Sequence, residues 1–498
     1  MTTLLKPRFK RLPLGECAGA PILKALWDRF DFSLLLSQSG IHKDRGVPTW
    51  MLAFLYVVGL ICQCLSVSKM ASLAQSDALL LSMFRCLTVT QSAMSRFLTA
   101  GHNWSLFGRK RVQRLQDDED TCLQEGDIIA LDDTQLAHPY GKKLSFLCWL
   151  YDHSQKIHVW GMNLVSIHAI LRNGIEYPLF YRIWRKPETK GEGPTKLDLA
   201  QEMLLQVREK LSLRLWVVMD RWYLCKDFFN FLTTHSFDWV TKAKRNTALF
   251  RLEIEPWSGR KRYVPINTRM LLRQAYAQLV FQATSGLVSI AIPNIYMKMP
   301  YEITNKKGKK VRKMRYEPIA AIAALCLQDA DEETALEDDA SEMPATYHGA
   351  YLLISNRVDA PQKALSAYTK RWRIEVFFRA AKQELGLNQC HSTTENHHHA
   401  HLELLFVAET LVSYALWHAN KETTSDGEGF THGKMVHSLF HTRCQIHIKT
   451  FHGLEQIQVI IDTQVGRFAR LFVLFWPDEI RMSLIGRYYN WKQLTLTA

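Results

Sequence analysis

Between residues 368 and 382 the chain reads YTKRWRIEVFFRAAK, in which Tyr368, Arg371, Glu375 and Lys382 are spaced by three, four and seven residues. An α-helix advances about 100° per residue, so the four would lie at roughly 0°, 300°, 340° and 320°. They share one face about 60° wide, with Arg379 beside them near 20°. Val376, Phe377, Ala380, Ala381 and Leu385 fall on the opposite side, as a buried stripe should. Lys370 and Arg373 interrupt that stripe, which predicts a first turn overhanging solvent. One carboxylate among three cations and a phenol suits holding a metal ion beside a phosphodiester. Spacing alone fits equally well a basic surface helix with a fortuitous glutamate.

Two upstream segments add carboxylates. GDIIALDDT places Asp132 and Asp133 after the apolar run Ile128–Leu131, and LRLWVVMDRW places Asp220 after Leu215–Met219. Short apolar runs of this kind read as buried strands. A carboxylate at a strand's end is held by rigid backbone yet stays open to an ion. A single aspartate in such a place is usually a turn residue; three acids in this order are a different matter. The spacing Tyr-x2-Arg-x3-Glu-x6-Lys and its surrounding text resemble the signature of DDE transposases of the insertion-sequence-four family. The resemblance is strongest over residues 127–141, 215–245 and 351–390. It implies that Glu375 is the third catalytic carboxylate and that the first two are strand-end aspartates upstream. In that family the first aspartate directly precedes a threonine, which selects Asp133 over Asp132, and the second is followed by arginine, as Asp220 is by Arg221. Asp132 is then expected to be a neighbour adding negative field or hydrogen bonds.

Three carboxylates suit divalent-ion chemistry. Mg²⁺ takes oxygen ligands in octahedral geometry and keeps positions open for water and substrate. Two ions about 3.5–4 Å apart stabilise both the attacking and the leaving oxygen of an in-line displacement. The expected ligands are Asp133, Asp220 and Glu375, with two Mg²⁺ ions or Mn²⁺ in their place. By the resemblance, Tyr368, Arg371 and Lys382 hold the DNA strand: a guanidinium fork, a point charge and a phenol against phosphate.

Composition agrees. The balance of 62 basic against 48 acidic residues leaves a net charge of +14, as expected for a polyanionic partner. The acids are uneven, since residues 329–342 hold eight of them and no base. Basic clusters occur at 6–11 (KPRFKR), 109–111 (RKR), 242–245 (KAKR), 260–262 (RKR) and 306–315 (KKGKKVRKMR). Binding through such clusters weakens steeply with salt. Ten cysteines lie scattered without a CxxC pair, which indicates neither zinc ribbon nor disulfide framework and points to a reducing, cytoplasmic setting. The start MTTLLKPRFKRLP lacks the apolar core of a signal peptide. Residues 50–65 are almost wholly apolar but short of a membrane span and contain Gln63, so they are expected to be a buried helix.

A chain of 498 residues exceeds one ordinary core. The expected class is α/β, an RNase H-like core interrupted by a mostly β insertion and flanked by helical domains. Residues 1–120 read as a helical DNA-binding domain, in which Thr90 caps a helix carrying Met94, Phe97 and Leu98. Residues 121–245 form the first part of the core, with Asn173-Gly174 as a hairpin signal and residues 195–211 (TKLDLAQEMLLQVREKL) as a crossover helix. Residues 246–345 form the insertion, which the family also carries. Residues 346–390 resume the core. Residues 391–498 are expected to be helical, with a possible role in dimerisation. The family stacks an aromatic near the insertion's exit on a flipped base; here Tyr351 is the nearest substitute and serves equally as a core strand residue. Five histidines in residues 391–401 lack cysteine or carboxylate partners at ligand spacing.

The chain therefore reads as a bacterial insertion-sequence transposase, cutting and joining double-stranded DNA at terminal inverted repeats and in a target, through a hairpin, as a DNA-bound homodimer. The rival readings are an RNase H-like nuclease that cuts without joining and an inactivated DNA-binding relic.

Overall fold

The computed structural model describes residues 8–326 apart from 16, 18, 86, 142–143, 153–154, 188, 190–191, 210, 283–286 and 305–309, then 349–422, 429–437, 443–451, 454–462 and 495–497. The acidic run 329–342, residues 306–309 of the lysine-rich stretch and the apolar tail 468–485 lie outside the described residues.

After β1 (Arg8–Gly15) come α1 (Ala20–Arg29), α2 (Phe32–Gln38), α3 (Thr49–Ile61), α4 (Val67–Ser76), α5 (Ala78–Met83), α6 (Gln91–Thr99) and α7 (Trp104–Gln116). Every residue of α3 from Met51 to Ile61 is buried, which is why its sequence is apolar on all sides. Thr90 caps α6, its side chain accepting from the Ala93 N–H, and Met94, Phe97 and Leu98 are buried while Gln91, Ser92 and Arg96 stay exposed.

Next come β2 (Ile128–Ala137), β3 (Cys148–Asp152), β4 (Ile157–Ile170), β5 (Glu176–Trp184), α8 (Lys196–Arg208), β6 (Trp216–Met219), α9 (Lys226–Thr234) and β7 (Asp238–Lys242). Then follow β8 (Ala248–Ile254), β9 (Lys261–Asn267), α10 (Thr268–Gln282), β10 (Leu287–Ile292), β11 (Ile295–Thr304), β12 (Lys310–Pro318), β13 (Ala320–Cys326) and β14 (Ala350–Ser355). The rest comprises α11 (Pro361–Tyr368), α12 (Trp372–Glu384), α13 (Glu395–Glu422), α14 (His432–Met435), β15 (Arg443–Phe451), β16 (Leu454–Asp462) and β17 (Thr495–Thr497).

The centre is a nine-stranded mixed sheet in the order β10-β13-β14-β7-β6-β2-β4-β3, with β5 also on β4. β2, β6 and β7 are parallel neighbours and the other pairs are antiparallel. All of β6 is buried, as a strand covered on both faces requires. Helices α8 and α9 make the crossovers into β6 and out of it. Gly174 closes the β4–β5 turn with a positive φ of 94°. α13 is long and apolar enough to cross a membrane, yet most of it is buried against α3, α6, α7 and β5, as befits a core helix.

Four expectations change. β2 does not end at Asp133 but runs to Ala137, because β4 continues to pair with it after β6 has stopped. Residues 368–382 are not one helix: α11 ends at Tyr368, and Lys370, Arg371 and Arg373 donate to carbonyls three residues back. Such a turn advances about 120° per residue and rotates Tyr368 away from the Glu375 face. The span 246–345 is not a self-contained β module. β8, β9, β11 and β12 form a sheet of their own, but β10 and β13 extend the central sheet through β14. β13, reading AAIAALC, is buried from Ala320 to Leu325 and so has the uniform apolar character of an inner strand. Finally, residues 391–498 are not all helical, since β15, β16 and β17 join β1 in a four-stranded sheet. The alternation in RCQIHIKTF and LEQIQVIID has the period of two that strands require.

Near the aspartates, Gly161 on β4 pairs with Ala137 of β2, and a Cβ there would lie 2.3 Å from the Leu136 carbonyl oxygen. That neighbour is backbone and cannot yield. Gly161→Ala should destabilise the protein by about 1–3 kcal/mol, read as a lower urea midpoint, and an unchanged midpoint would contradict this β2–β4 register.

Candidate active site

β2 carries Asp132 and Asp133 in succession, so their side chains leave opposite faces of the strand. The parallel register pairs Leu131 with Met219, and the next residues along the two chains are Asp132 and Asp220. Asp220 follows the last residue of β6 and caps a short 3₁₀ turn, its Oδ2 accepting from the Trp222 N–H at 3.4 Å. Glu375 stands in the first turn of α12, which packs on β2 and β4. Phe377, two residues on, fixes that docking by stacking on His168 of β4 at 4.8 Å between ring centroids.

The buried Arg371 joins these elements. Its Nη1 donates to Glu375 Oε1 and lies 3.9 Å from Asp132 Oδ2. Burial opposes its charge, but Tyr368, Glu375, Asp132 and Asp220 more than offset that, and its pKa is raised. The Asp132 carboxyl is pushed up to about 8, first by burial; Arg371 pulls it down, while Asp133 and Glu375 push it further up. Its Oδ1 accepts the Asp133 N–H at 2.8 Å.

Asp133 has different company. Its Oδ2 accepts from Lys196 Nζ and from Asn163 Nδ2, each at 2.7 Å, and its Oδ1 from the Tyr223 hydroxyl at 3.2 Å. Lys196 lies over the rings of Trp222 and Trp184, 5.0 and 5.6 Å from their centroids. The expectation that Asp133 is the strand-end ligand therefore meets a geometric difficulty: its carboxylate is engaged by three protein donors, and it is Asp132 that faces Arg371 and Glu375. The threonine that singled out Asp133 follows both aspartates closely, whereas strand alternation decides which one faces α12.

The remaining expected residues are not all brought together. Tyr368 is buried, its centroid 6.3 Å from the ring of Tyr351 and 5.9 Å from the guanidinium carbon of Arg371. Tyr351 sits within β14 beneath the ammonium of Lys242, 4.7 Å from its centroid, as a sheet residue. Lys382 lies two turns along α12 from Glu375; burial lowers its pKa, and the charge of Asp152, at the end of β3, raises it. Lys196, Asn163 and Tyr223 were not singled out in the sequence. Tyr223 follows Asp220 by three residues, but Lys196 and Asn163 lie far from any motif.

The histidine run lies in and before the first turns of α13 and is taken up by packing. His401 Nδ1 meets the Tyr56 hydroxyl at 2.9 Å, His399 Nδ1 the Tyr181 hydroxyl at 3.1 Å, and His398 Nε2 the Ser392 carbonyl at 3.0 Å. Among the described residues, no three His, Cys, Asp or Glu side chains stand at metal-ligating spacing. Between β2 and α12, Arg371 bridges Asp132 and Glu375 instead. The chemistry there fits hard divalent ions all the same. The donors are carboxylate oxygens, and the guanidinium of Arg371 stands between two of them, where a cation is called for.

Residues 124–411 match the family model described as the transposase DDE domain. No curated protein matches the chain. Among solved structures it is similar to one described as a cryo-EM structure of the piggyBac transposase synaptic complex with hairpin DNA, at 10% identity and a TM-score of 0.38, covering 93% of this chain and 73% of that one.

The pKa of Asp132 has a measurable consequence. A carboxyl raised from 3.8 to about 8 holds more protons folded than unfolded between those values, so stability contributed by its neutral form is lost as pH rises through that window. In chelator, Asp132→Asn should show a smaller drop in urea midpoint between pH 5 and pH 8 than the parent protein. An equal drop would mean that Asp132 is not buried among like charges.

Proposed function

Because the chain belongs to the family of transposases with a DDE domain, we propose that it cleaves and rejoins DNA with Asp132, Asp220 and Glu375 as the ion-holding carboxylates. The observation that carries this assignment is the convergence of those three acids on Arg371 where β6 ends beside β2. The order β5-β4-β2-β6-β7, with β2, β6 and β7 parallel, supports an RNase H-like core. The four-point spacing around Glu375 supports membership of the insertion-sequence-four group. Asp133, the alternative first ligand by its position before Thr134, is on this reading a support for Asp132.

Two Mg²⁺ ions, or Mn²⁺, held by these acids would lower the pKa of the attacking water and stabilise charge on the phosphate and leaving oxygen. The chain's own groups do the rest. The rigid pairing of β2 with β6 holds two acids at fixed separation, one within β2 and one just after β6, and α12 delivers the third. Arg371, once relieved of the carboxylates, offers its fork to a backbone phosphate. Tyr368 steadies that arginine, and Lys382 adds charge further along the strand. Water adds to phosphorus and the 3′-oxygen leaves, giving a 3′-hydroxyl and a 5′-phosphate; the freed hydroxyl then attacks another phosphodiester. A first attack within the same duplex gives a hairpin, which we propose as the excision intermediate. Exposed basic residues such as Arg109 of α7, those of 260–262, and Lys310, Arg312, Lys313 and Arg315 of β12 supply phosphate contacts. Terminal inverted repeats and target DNA as substrates, action as a homodimer, and work in the cytoplasm of a bacterium complete the proposal.

End-labelled DNA carrying the element's end, resolved on a denaturing gel, tests this directly. Asp132→Ala, Asp220→Ala and Glu375→Ala should each abolish cleavage while salt-sensitive DNA binding persists. Asp133→Ala should retain part of it; an inactive Asp133→Ala beside an active Asp132→Ala would reverse the assignment. Activity should need Mg²⁺ or Mn²⁺ and vanish in chelator.

The same gel separates joining from cutting. Arg371→Ala and Lys382→Ala each remove a charge-assisted phosphate contact of about 1.5–3 kcal/mol. They should still nick but form little hairpin or joined product. If the unaltered protein, folded and metal-loaded, gives nicks alone, it is a nuclease and not a strand-transfer enzyme.

A further inference from the structure

Two consecutive carboxylates within β2, level with the end of β6, pose a selection problem, because a divalent ion would recruit either. Asp132 and Asp133 are equally exposed, each side chain at 18%. We infer that Lys196 solves it by sequestering Asp133, so that Asp132 alone is presented to the ions; this rests on the reading of Asp132, Asp220 and Glu375 as ion ligands.

Lys196 is the first residue of α8, directly after Thr195, which forms a reciprocal capping box with Asp198. That cap fixes the path of the backbone from which the lysine projects. A cation in the first turn opposes the helix dipole, so Lys196 is not there for the sake of α8. Its ammonium finds its compensation across the site, 2.7 Å from Asp133 Oδ2. Its approach to the faces of Trp184 and Trp222 keeps it there, and Trp222 belongs to the turn that Asp220 caps. Lys196 thus ties α8 to the middle of β2 and to the turn that follows β6.

Asn163 shares the same Asp133 oxygen and Tyr223 takes the other. Three protein donors occupy Asp133, whereas Asp132 keeps one backbone N–H and a guanidinium 3.9 Å away. The balance of charge follows: Lys196 cancels Asp133, leaving three carboxylates to face the ions and not four.

The test is Mn²⁺ binding to the full chain without DNA, read from the paramagnetic resonance of free Mn²⁺, with cleavage measured alongside. Lys196→Met keeps an apolar stem between the tryptophans but leaves Asp133 uncompensated. It should bind Mn²⁺ several-fold to about tenfold more tightly, yet cleave at least about tenfold more slowly, because Asp133 now competes as a ligand. Asp133→Asn leaves the ammonium uncompensated and should weaken Mn²⁺ binding by a similar factor. The double variant should return to within about threefold of the parent. Opposite single shifts with restoration are the signature of a charge pair. A merely structural tie would shift both singles the same way without restoration, and that result overturns the inference. Lys196→Gln replaces Lys196→Met if thermal melting shows the latter unfolded. Asp132→Ala separates the two levels: if it binds Mn²⁺ like the parent, the ion-site reading fails and takes this inference with it. If it loses the ion while the singles shift together, only the role of Lys196 fails.

Discussion

Like charges resist being brought together, and the site described here exists because strand pairing overrides that resistance. The parallel register of β2 and β6 sets Leu131 against Met219 and so sets Asp132 beside Asp220. Neither strand can slip to relieve the repulsion, since β6 is buried throughout and paired with β2 on one side and β7 on the other, so a shift would disrupt both ladders and the packing of every residue in it. The repulsion is therefore met by cations delivered from elsewhere: Arg371 from the turn before α12 and Lys196 from the start of α8. Tyr223, buried against the aspartates, has its pKa driven well up by burial first and by Asp133, Asp132 and Asp220 after it, so it remains a donor.

The scaffold behind the sheet is tied with comparable care. Arg111 of α7 is fully buried and donates to the carbonyls of Pro178 and Leu179 at 2.8 and 2.6 Å. These belong to the irregular stretch of β5, where the register with β4 shifts between Ile167 and His168. A bulge leaves carbonyls without ladder partners, and a guanidinium fork suits them. Glu403 of α13 lies 3.6 Å from the same arginine, and a Cβ on Gly108 would come within 2.5 Å of its carboxylate. Thus α7, α13 and β5 meet around one buried cation.

Much of the candidate site was legible because its signals are local. Apolar runs before Asp132 and Asp220, the Thr90 cap and Asn173-Gly174 each depend on a few adjacent residues, and each appears in the structure as such. What was not legible depends on partners distant in the chain. Which of two adjacent aspartates faces α12 is decided by pairing with β4 and by Lys196, 63 residues away. The tightening between α11 and α12 follows from docking Tyr368 on β14 and Arg371 on β2, which no helical wheel contains. The strands β10 and β13 read as insertion because sequence order says nothing about which sheet edge a strand will find.

That last pairing has consequences for modularity. A segment whose ends merely emerge side by side from a sheet can be exchanged between proteins like a cassette. Here two strands return to the sheet, so excising residues 246–345 would strip β14 of its neighbour β13, and with it β10, and bare the edge of a largely buried apolar strand. Homologous exchange across this boundary must carry β10 and β13 along with the recipient's own edge. β14 in turn pairs with β7, and β7 adjoins the strand that Asp220 follows, so the inserted strands belong to the same sheet as the site.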